Sequence, residues 1–107
     1  MAVRGLEPEP GGISEQALSI LISLAGGPKH GYAMIHDIAA FSGKRLGPGT
    51  LYGAIARLDR AGLIEALPSD GRRTPYRLTP AGARYLQAEL ESLRRVASLG
   101  LRRLVRS

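Results

Sequence analysis

Hydroxyl, arginine and small side chains share one face of a predicted helix in the segment GPGTLYGAIARLDRAGLI, residues 47–64. Gly47 and Pro48 predict its start, because glycine is accepted at a helix cap and proline fits the first helical position. The apolar residues recur at helical spacing and form a stripe that a core can bury. Hydroxyl and guanidinium groups donate hydrogen bonds to phosphate oxygens, so the opposite face suits a DNA groove. That face carries Thr50, Tyr52, Gly53, Arg57 and Arg60.

The segment after this helix distinguishes it from an ordinary amphipathic surface helix, which would show the same periodicity. Residues 63–67 and 74–78 are short apolar-rich runs, and the sequence Pro-Ser-Asp-Gly at 68–71 is a strong turn signal between them. Arg72 and Arg73 therefore lie near the tip of a predicted β-hairpin. With two helices before it, this pattern predicts a mainly α fold with a small β-hairpin wing, a winged helix-turn-helix.

Two helices are expected before this segment. The first begins at Ser14, whose hydroxyl can cap free amides, and a Gly-Gly-Pro sequence ends it. The second runs from about Gly31 to Phe41. Lys29 and His30 precede it, where amides and a lysine can meet a phosphate; local capping by His30 is the favoured alternative. The residues predicted to face the core from the second helix are Tyr32, Ile35, Ile38 and Ala39.

A long final helix follows Thr79, which can cap it, and Pro80 at its first position. At about 25 residues it would be some 37 Å long, more than a domain of this size can cover. The alternative is that its apolar stripe packs only on its own domain. The length favours a second copy of the chain, packed along a seam with 4-3-4-3-4 spacing. The seam consists of Leu86, Leu90, Leu93, Ala97, Gly100 and Leu104.

Four segments in this order resemble the PadR family of bacterial transcriptional regulators. They are LISLAGGPKHGYAMIHDI at 21–38, GPGTLYGAIARLDRAGLIE at 47–65, GRRTPYRLTPAG at 71–82, and the loosely patterned final helix. The likeness extends over about residues 14–104. Two positions depart from the family pattern. Gly53 stands where proline is common, and Pro75 interrupts the wing where a basic or aromatic residue is usual.

The resemblance implies a homodimeric, sequence-specific repressor that binds double-stranded operator DNA. Its third helix would enter the major groove, and its wing would lie along the neighbouring backbone or minor groove. Family members often respond to a small molecule held near the dimer interface. This chain has no tryptophan to line such a pocket, and we assign no ligand residues. The implied DNA contacts are Lys29, His30, Tyr32, Lys44, Arg45, Gly49, Thr50, Tyr52, Arg57, Arg72 and Arg73.

The charge distribution agrees with these assignments. Residues 1–42 have a net charge of −2, whereas residues 43–78 and 79–107 each have +4. The excess positive charge therefore lies on the expected DNA-facing segment and the final helix. We expect a flexible tail at 1–12, a winged helix-turn-helix domain at 13–78 and a dimerisation helix at 79–107. One domain of this length has a small core, which a second copy would enlarge.

Other functional classes lack support in the sequence. The absence of cysteine excludes a disulfide framework and a zinc finger. His30 and His36 lie on different helix faces, and no catalytic motif surrounds them, so we expect neither metal, cofactor nor enzymatic activity. There is no signal-like or membrane-spanning apolar run, which favours a cytoplasmic protein. Two alternatives without DNA binding are a protein–protein interaction module and a ligand-sequestering module, the latter disfavoured by the 5% aromatic content.

Overall fold

The computed structural model describes residues 13–69 and 71–106. It confirms the mainly α fold with a small β wing and a long final helix. The predicted tail at residues 1–12 lies outside the described residues. The elements, in chain order, are α1 (Glu15–Ala25), β1 (Lys29–His30), α2 (Gly31–Ser42), α3 (Pro48–Arg60), β2 (Ile64–Ala66), β3 (Pro75–Leu78) and α4 (Pro80–Arg106).

Helices α1, α2 and α3 begin at the residues that local chemistry indicates. The Ser14 hydroxyl accepts a hydrogen bond from the Ala17 amide at 3.1 Å, as predicted. Nδ1 of His30 accepts one from the Ala33 amide at 3.3 Å, so this histidine is the N-cap of α2. Gly47 is the N-cap of α3, and Pro48 follows it at the first helical position. Ser14 and His30 thus supply acceptors for amides that have no partner inside the helix. At the start of α3, Pro48 has no amide hydrogen that would need such an acceptor.

The core is formed by one face of each of the first three helices, with added residues from β2 and α4. On α3 the buried residues are Leu51, Ala54, Ile55 and Leu58, which confirms the predicted apolar stripe. Burying a leucine or isoleucine contributes about 1.5–3 kcal/mol, so this stripe fixes which face of α3 remains exposed. Leu86 of α4 is part of the same core.

The orientation predicted for Tyr32 in α2 is wrong. Its side chain is 55% exposed, whereas Ile35 and Ile38 are buried as expected. Gly31 and Met34 are also buried, so the centre of the buried face of α2 lies toward Gly31 and Met34 and away from Tyr32. Because each helical residue turns the chain by about 100°, Tyr32 lies beyond the edge of that face.

The wing (residues 64–78) belongs to a three-stranded antiparallel sheet in the order β1-β3-β2. Strand β2 pairs with β3 in the register Glu65 with Arg77, as a hairpin requires. Strand β1 was not predicted, because its residues were assigned to the start of the second helix. A strand of two residues has no period of its own, and only its pairing with β3, Lys29 with Tyr76 and His30 with Pro75, defines it.

Helix α4 begins in close contact with the chain that leaves α3. The Thr79 hydroxyl donates to the Gly62 carbonyl at 2.7 Å and accepts from the Gly82 amide at 3.0 Å. A Cβ atom on Gly82 would lie 2.9 Å from the Leu63 carbonyl carbon, closer than side chains approach a backbone. Thr79 and Gly82 therefore set the position at which α4 leaves the domain.

We expect Gly82→Ala to lower the free energy of unfolding by about 1–3 kcal/mol, because the added methyl group meets backbone that cannot move aside. The matched control is Gly53→Ala in α3, where the new Cβ meets only the end of Arg57, at 3.9 Å. That control should raise stability by up to about 1 kcal/mol through helix propensity. Denaturant unfolding at one protein concentration measures both. Equal effects of the two substitutions would contradict the close contact at Gly82.

Candidate nucleic-acid interface

The exposed face of α3 carries the residues that the sequence placed there. Gly49, Thr50 and Arg57 are exposed, and Tyr52 is 47% exposed. They follow one side of the helix, opposite the buried stripe. Arg60 continues this face into the last turn of the helix, next to Arg57. Hydroxyl, aromatic and guanidinium groups are thus presented together by a rigid, well-anchored element.

Tyr52 also contacts the start of α2. A Cβ atom on Gly31 would lie 2.6 Å from Cζ of Tyr52, so the phenol ring is packed directly over this glycine. The contact explains why a glycine stands between His30 and Tyr32 in the segment HGY. It also joins the two sequence segments HGY and PGTLY, whose proximity the sequence alone did not reveal.

The wing is joined to α2 through Arg73. Its Nη1 lies 3.2 Å from Nε2 of His30, and its guanidinium carbon lies 5.7 Å from the centre of the Tyr32 ring. This second contact has the geometry of a cation–π interaction. The Tyr32 ring in turn stacks on His36, with centres 6.3 Å apart. Tyr32 therefore contributes to the interface with the wing rather than to the core.

The turn of the wing positions the two arginines. The Ser69 hydroxyl donates to the Arg73 carbonyl at 3.0 Å and accepts from the Gly71 amide at 3.1 Å. The Leu67 amide donates to the Pro75 carbonyl at 2.8 Å, which closes the base of the turn. Pro75 is the first residue of β3, a position where a strand tolerates its missing N–H. The departure from the family pattern at Pro75 is thus compatible with a regular wing.

A cleft of about 190 Å³ lies where α2, α3 and the wing meet. Two of its lining residues, Thr74 and Tyr76, were missed by the sequence analysis. Burial, followed by the carboxylate of Asp59, raises the pKa of Tyr76 above its ordinary value of 10.0, so its hydroxyl stays protonated at neutral pH. None of the described residues that line the cleft is acidic. They are His30, Tyr32, Tyr52, Arg72, Arg73, Thr74 and Tyr76.

Two of the predicted lysines are engaged within the protein. Nζ of Lys29 donates to the carbonyls of Ser23 at 2.5 Å and Gly27 at 3.2 Å, and lies 3.8 Å from a carboxylate oxygen of Asp37. This ammonium group therefore holds the end of α1 against α2. Lys44 forms an exposed ion pair with Glu15, at 2.5 Å. An exposed pair of this kind is weak, so Lys44 can exchange its partner.

The predicted seam on α4 is divided by the structure. Leu86 is buried in the core of its own domain, so the face open to a partner begins at Leu90 rather than at Leu86. No residue described after Leu86 is buried, although Leu93 and Leu104 are apolar. The exposed seam residues are Leu90, Leu93, Ala97, Gly100 and Leu104, and the sequence analysis left out the exposed Val96, Leu99, Leu101 and Val105.

Two other kinds of site have no candidates in residues 13–69 and 71–106. No group of three or more histidine, cysteine, aspartate or glutamate side chains there could hold a metal ion. Within the same ranges, every helix is too short or too polar to cross a membrane.

Comparison with known proteins assigns the chain to a family. Residues 20–88 match the model of the transcriptional regulator PadR-like family. The chain belongs to the PadR-like family. Its function class is therefore DNA-binding regulation of transcription. The match runs from the middle of α1 through the first third of α4 and includes every described residue that lines the cleft.

The individual relatives of this PadR-like chain include a transcriptional regulator. The chain is 37% identical over 83 residues to the transcriptional regulator Rv3488 of Mycobacterium tuberculosis, with 75% of this chain and 77% of that protein covered. It is 45% identical over 84 residues to an uncharacterized 37.1 kDa protein in transposon TN4556 of Streptomyces fradiae, with 78% of this chain covered. This match spans only 24% of the transposon protein.

A solved structure has the same fold. A transcriptional regulator from Clostridium thermocellum superposes with a TM-score of 0.70 at 29% identity, with 81% of this chain and 93% of that chain covered. The family resemblance seen in the sequence is thus confirmed, both in the winged-helix fold and in the order of the elements.

The Tyr52 contact can be tested by a double-mutant cycle. Gly31→Ala should cost about 1 kcal/mol of unfolding free energy, because the tyrosine ring must move but its end is free to do so. In a Tyr52→Ala background the same change should cost nothing, which gives a coupling of about 1 kcal/mol. Gly49→Ala, whose Cβ has nothing within 4 Å, is the uncoupled control. Additive effects of Gly31→Ala and Tyr52→Ala would show that the ring does not pack on α2.

Proposed function

We propose that this chain is a homodimeric repressor that holds operator DNA against α3, the wing and the start of α2. The observation that carries the proposal is the cleft at their junction. It brings together hydroxyl, imidazole and guanidinium groups from three elements, and none of the described residues that line it is acidic. The segment from 43 to 78 has a net charge of +4. Such a surface attracts phosphate, and its exposed helix has the size of a major-groove reader.

We expect the residues of this interface to make different kinds of contact with DNA. Thr50 and Tyr52, near the beginning of α3, would meet base edges or adjacent phosphates. Arg57, Arg72 and Arg73 would neutralise phosphates on either side. Lys44 and Arg45, on the exposed loop before α3, would extend the backbone contacts. Gly49 would allow close approach of the DNA, because it presents no side chain. Lys29 would act indirectly, since its ammonium group holds α1 and α2 together.

Dimer formation is proposed from α4. This helix has 27 residues and is about 40 Å long, yet its only buried residues are Gly82 and Leu86. Val96 and Leu104 are 67% and 74% exposed. Monomeric proteins rarely expose a large continuous apolar surface, so this face is typical of an interaction site. A mainly apolar groove of about 380 Å³ runs from Ala25 at the end of α1, past Leu78 at the end of β3, to Arg94 on α4, and is continuous with this face. We propose that a second copy covers the exposed face of α4.

Release of DNA by a small-molecule effector stays a prediction. The apolar groove has the size of a small-ligand site, but no described feature identifies a compound. A DNA-binding role also places the protein's action in the cytoplasm and requires no enzymatic activity. The interaction-module and sequestering alternatives predict no affinity for duplex DNA, which the next measurement decides.

DNA affinity should depend steeply on salt. Two wings and two third helices, each with a few phosphate contacts, give a slope of about −5 to −8 in log affinity against log salt. Replacing Arg72 and Arg73 by alanine should weaken binding to random and selected duplexes alike and flatten the slope by about one unit per lost contact. Titrations across a salt series, with an operator selected from a random duplex pool, measure both quantities.

The control for charge is the double substitution Arg102→Ala with Arg106→Ala on the far, exposed part of α4. It removes the same charge, but should leave the slope nearly unchanged, because distant exposed charges are screened. A flat response of the unmodified protein would contradict nucleic-acid binding. An equal effect of the two double substitutions would contradict the placement of DNA at the wing.

Leu93→Arg should convert the dimer into a monomer at micromolar concentration. It would place two like charges within the proposed seam, where an unpaired buried charge costs about 3–5 kcal/mol. Ala88→Arg is the matched control, because it adds the same charge to the opposite side of α4. Sedimentation equilibrium measures the state of each variant. If the unmodified protein sediments as a monomer, α4 is not a dimerisation helix under these conditions.

A further inference from the structure

Helix α3 ends in a turn of fixed geometry. The Leu63 amide donates to the Leu58 carbonyl at 3.1 Å, and the Gly62 amide donates to the Asp59 carbonyl at 3.0 Å. These are the two hydrogen bonds of a Schellman motif. Gly62 has a φ of +78°, a left-handed conformation that favours glycine. The motif therefore determines the direction of the carbonyl groups of Gly62 and Leu63, which follow the helix.

Thr79 binds both of these carbonyl groups at the start of α4. Its amide donates to the Leu63 carbonyl at 3.1 Å, and its hydroxyl donates to the Gly62 carbonyl at 2.7 Å. The same hydroxyl accepts from the Gly82 amide, so it caps α4 while it is bonded to the end of α3. Gly82 is buried against the Leu63 backbone, with no space for a Cβ atom. The hydroxyl bond opposes separation of the two helices, and the packing at Gly82 opposes their closer approach.

This junction joins the two parts of the proposed dimer, since α4 carries the seam and α3 carries the exposed face that meets DNA. Adding one base pair between two half-sites moves them about 3.4 Å apart and turns them by about 34° around the duplex. Each of two domains would then have to turn by about 17° on its own α4. Such a turn at Thr79 moves Gly82, about 4.5 Å along the helix, by about 1.3 Å. A hydrogen bond of 2.7 Å that is lengthened by this distance is broken.

We propose that Thr79 is a positioning residue that restricts the protein to operators with one distance between their half-sites. The proposal rests on the proposed function, because it needs a dimer through α4 and DNA bound to α3. The role requires no contact between Thr79 and DNA. Binding to an operator of the wrong spacing costs the hydroxyl bond to Gly62 in each protomer. One hydrogen bond corresponds to a factor of about five in affinity, so the two contribute a factor of about 25 to the discrimination.

Thr79→Asp separates the two roles of the hydroxyl. An aspartate here can still accept from the Gly82 amide and suits a helix N-terminus, but its carboxylate cannot donate to the Gly62 carbonyl. Thr79→Ser retains both hydrogen bonds and should behave like the unmodified protein. Ala81→Asp, at an exposed position in the first turn of α4, is the control for the added charge.

The preference for spacing is measured with duplexes in which the half-sites of a selected operator are moved together or apart by single base pairs. We expect the unmodified protein to favour one spacing. In Thr79→Asp the advantage of that spacing over its neighbours should fall by about five- to 25-fold. Thr79→Val, which lacks both bonds of the hydroxyl, should show the same loss, with circular dichroism to check that each variant is folded.

Three outcomes of this experiment would overturn the positioning role. They are an equal loss of affinity at every spacing in Thr79→Asp, an unchanged preference in Thr79→Asp, and no preference in the unmodified protein. The first would mean that the hydroxyl only stabilises the fold. In all three cases, salt-dependent binding to duplex DNA would leave the proposed function intact.

The junction can also be tested without DNA. The chain has no cysteine, so Arg60→Cys, in the exposed last turn of α3, provides one site for a nitroxide label. Pulsed electron paramagnetic resonance then measures the distance between the two third helices of a dimer. We expect a narrow distribution that broadens in Thr79→Asp but not in Thr79→Ser or Ala81→Asp. Equal widths in all variants would overturn the proposal alone. If the labelled protein showed no distance and sedimented as a monomer, both the positioning role and the proposed dimer would be overturned.

Discussion

The central strand of the small sheet is the constraint on which the other arrangements depend. Strand β3 has only four residues, but it pairs with β1 on one edge and β2 on the other. Through β1 it holds the residues before α2 beside the wing. Through Thr79 it leads directly into α4. Hydrogen bonds of a short antiparallel ladder thus determine how the cap of α2, the wing arginines and the long helix are placed relative to each other.

The cationic side chains at the interface have two different roles. Some stabilise the fold, and others are exposed to solvent. Lys29 is bonded to carbonyls at the end of α1, where a positive charge also interacts favourably with the helix dipole. Arg73 is held by an aromatic ring and an imidazole on α2. These contacts orient the wing before DNA binds, which reduces the ordering cost of binding.

Helix α4 connects stability to association. Its first two turns complete the core through Leu86, and the contact at Gly82 fixes the angle at which it leaves the domain. After Leu86 the helix contributes little to its own domain, since none of its described residues beyond that position is buried. A single domain of about a hundred residues buries a small core, which gives it a small free energy of unfolding. Burying the exposed apolar face against a second copy would stabilise the fold and set the spacing of two DNA-binding surfaces.

The sequence by itself determined the features that arise within a few neighbouring residues. Ser14, the Gly47-Pro48 pair and Thr79 mark helix starts because capping uses groups within three residues of each other. The apolar stripe of α3 follows from the helical period alone, and it identifies the exposed face that carries Thr50, Tyr52 and Arg57. The resemblance to the PadR family followed from the order of such local segments.

Only the tertiary structure decided how these segments meet. Strand β1 exists because β3 lies beside it, and Tyr32 is exposed because α2 is rotated toward Met34. The packing of Tyr52 over Gly31 joins residues on two helices, and the contact between His30 and Arg73 spans 43 positions. A pattern along the chain records which face of an element is apolar. The distances between polar groups on different elements are fixed only when those apolar faces are packed together.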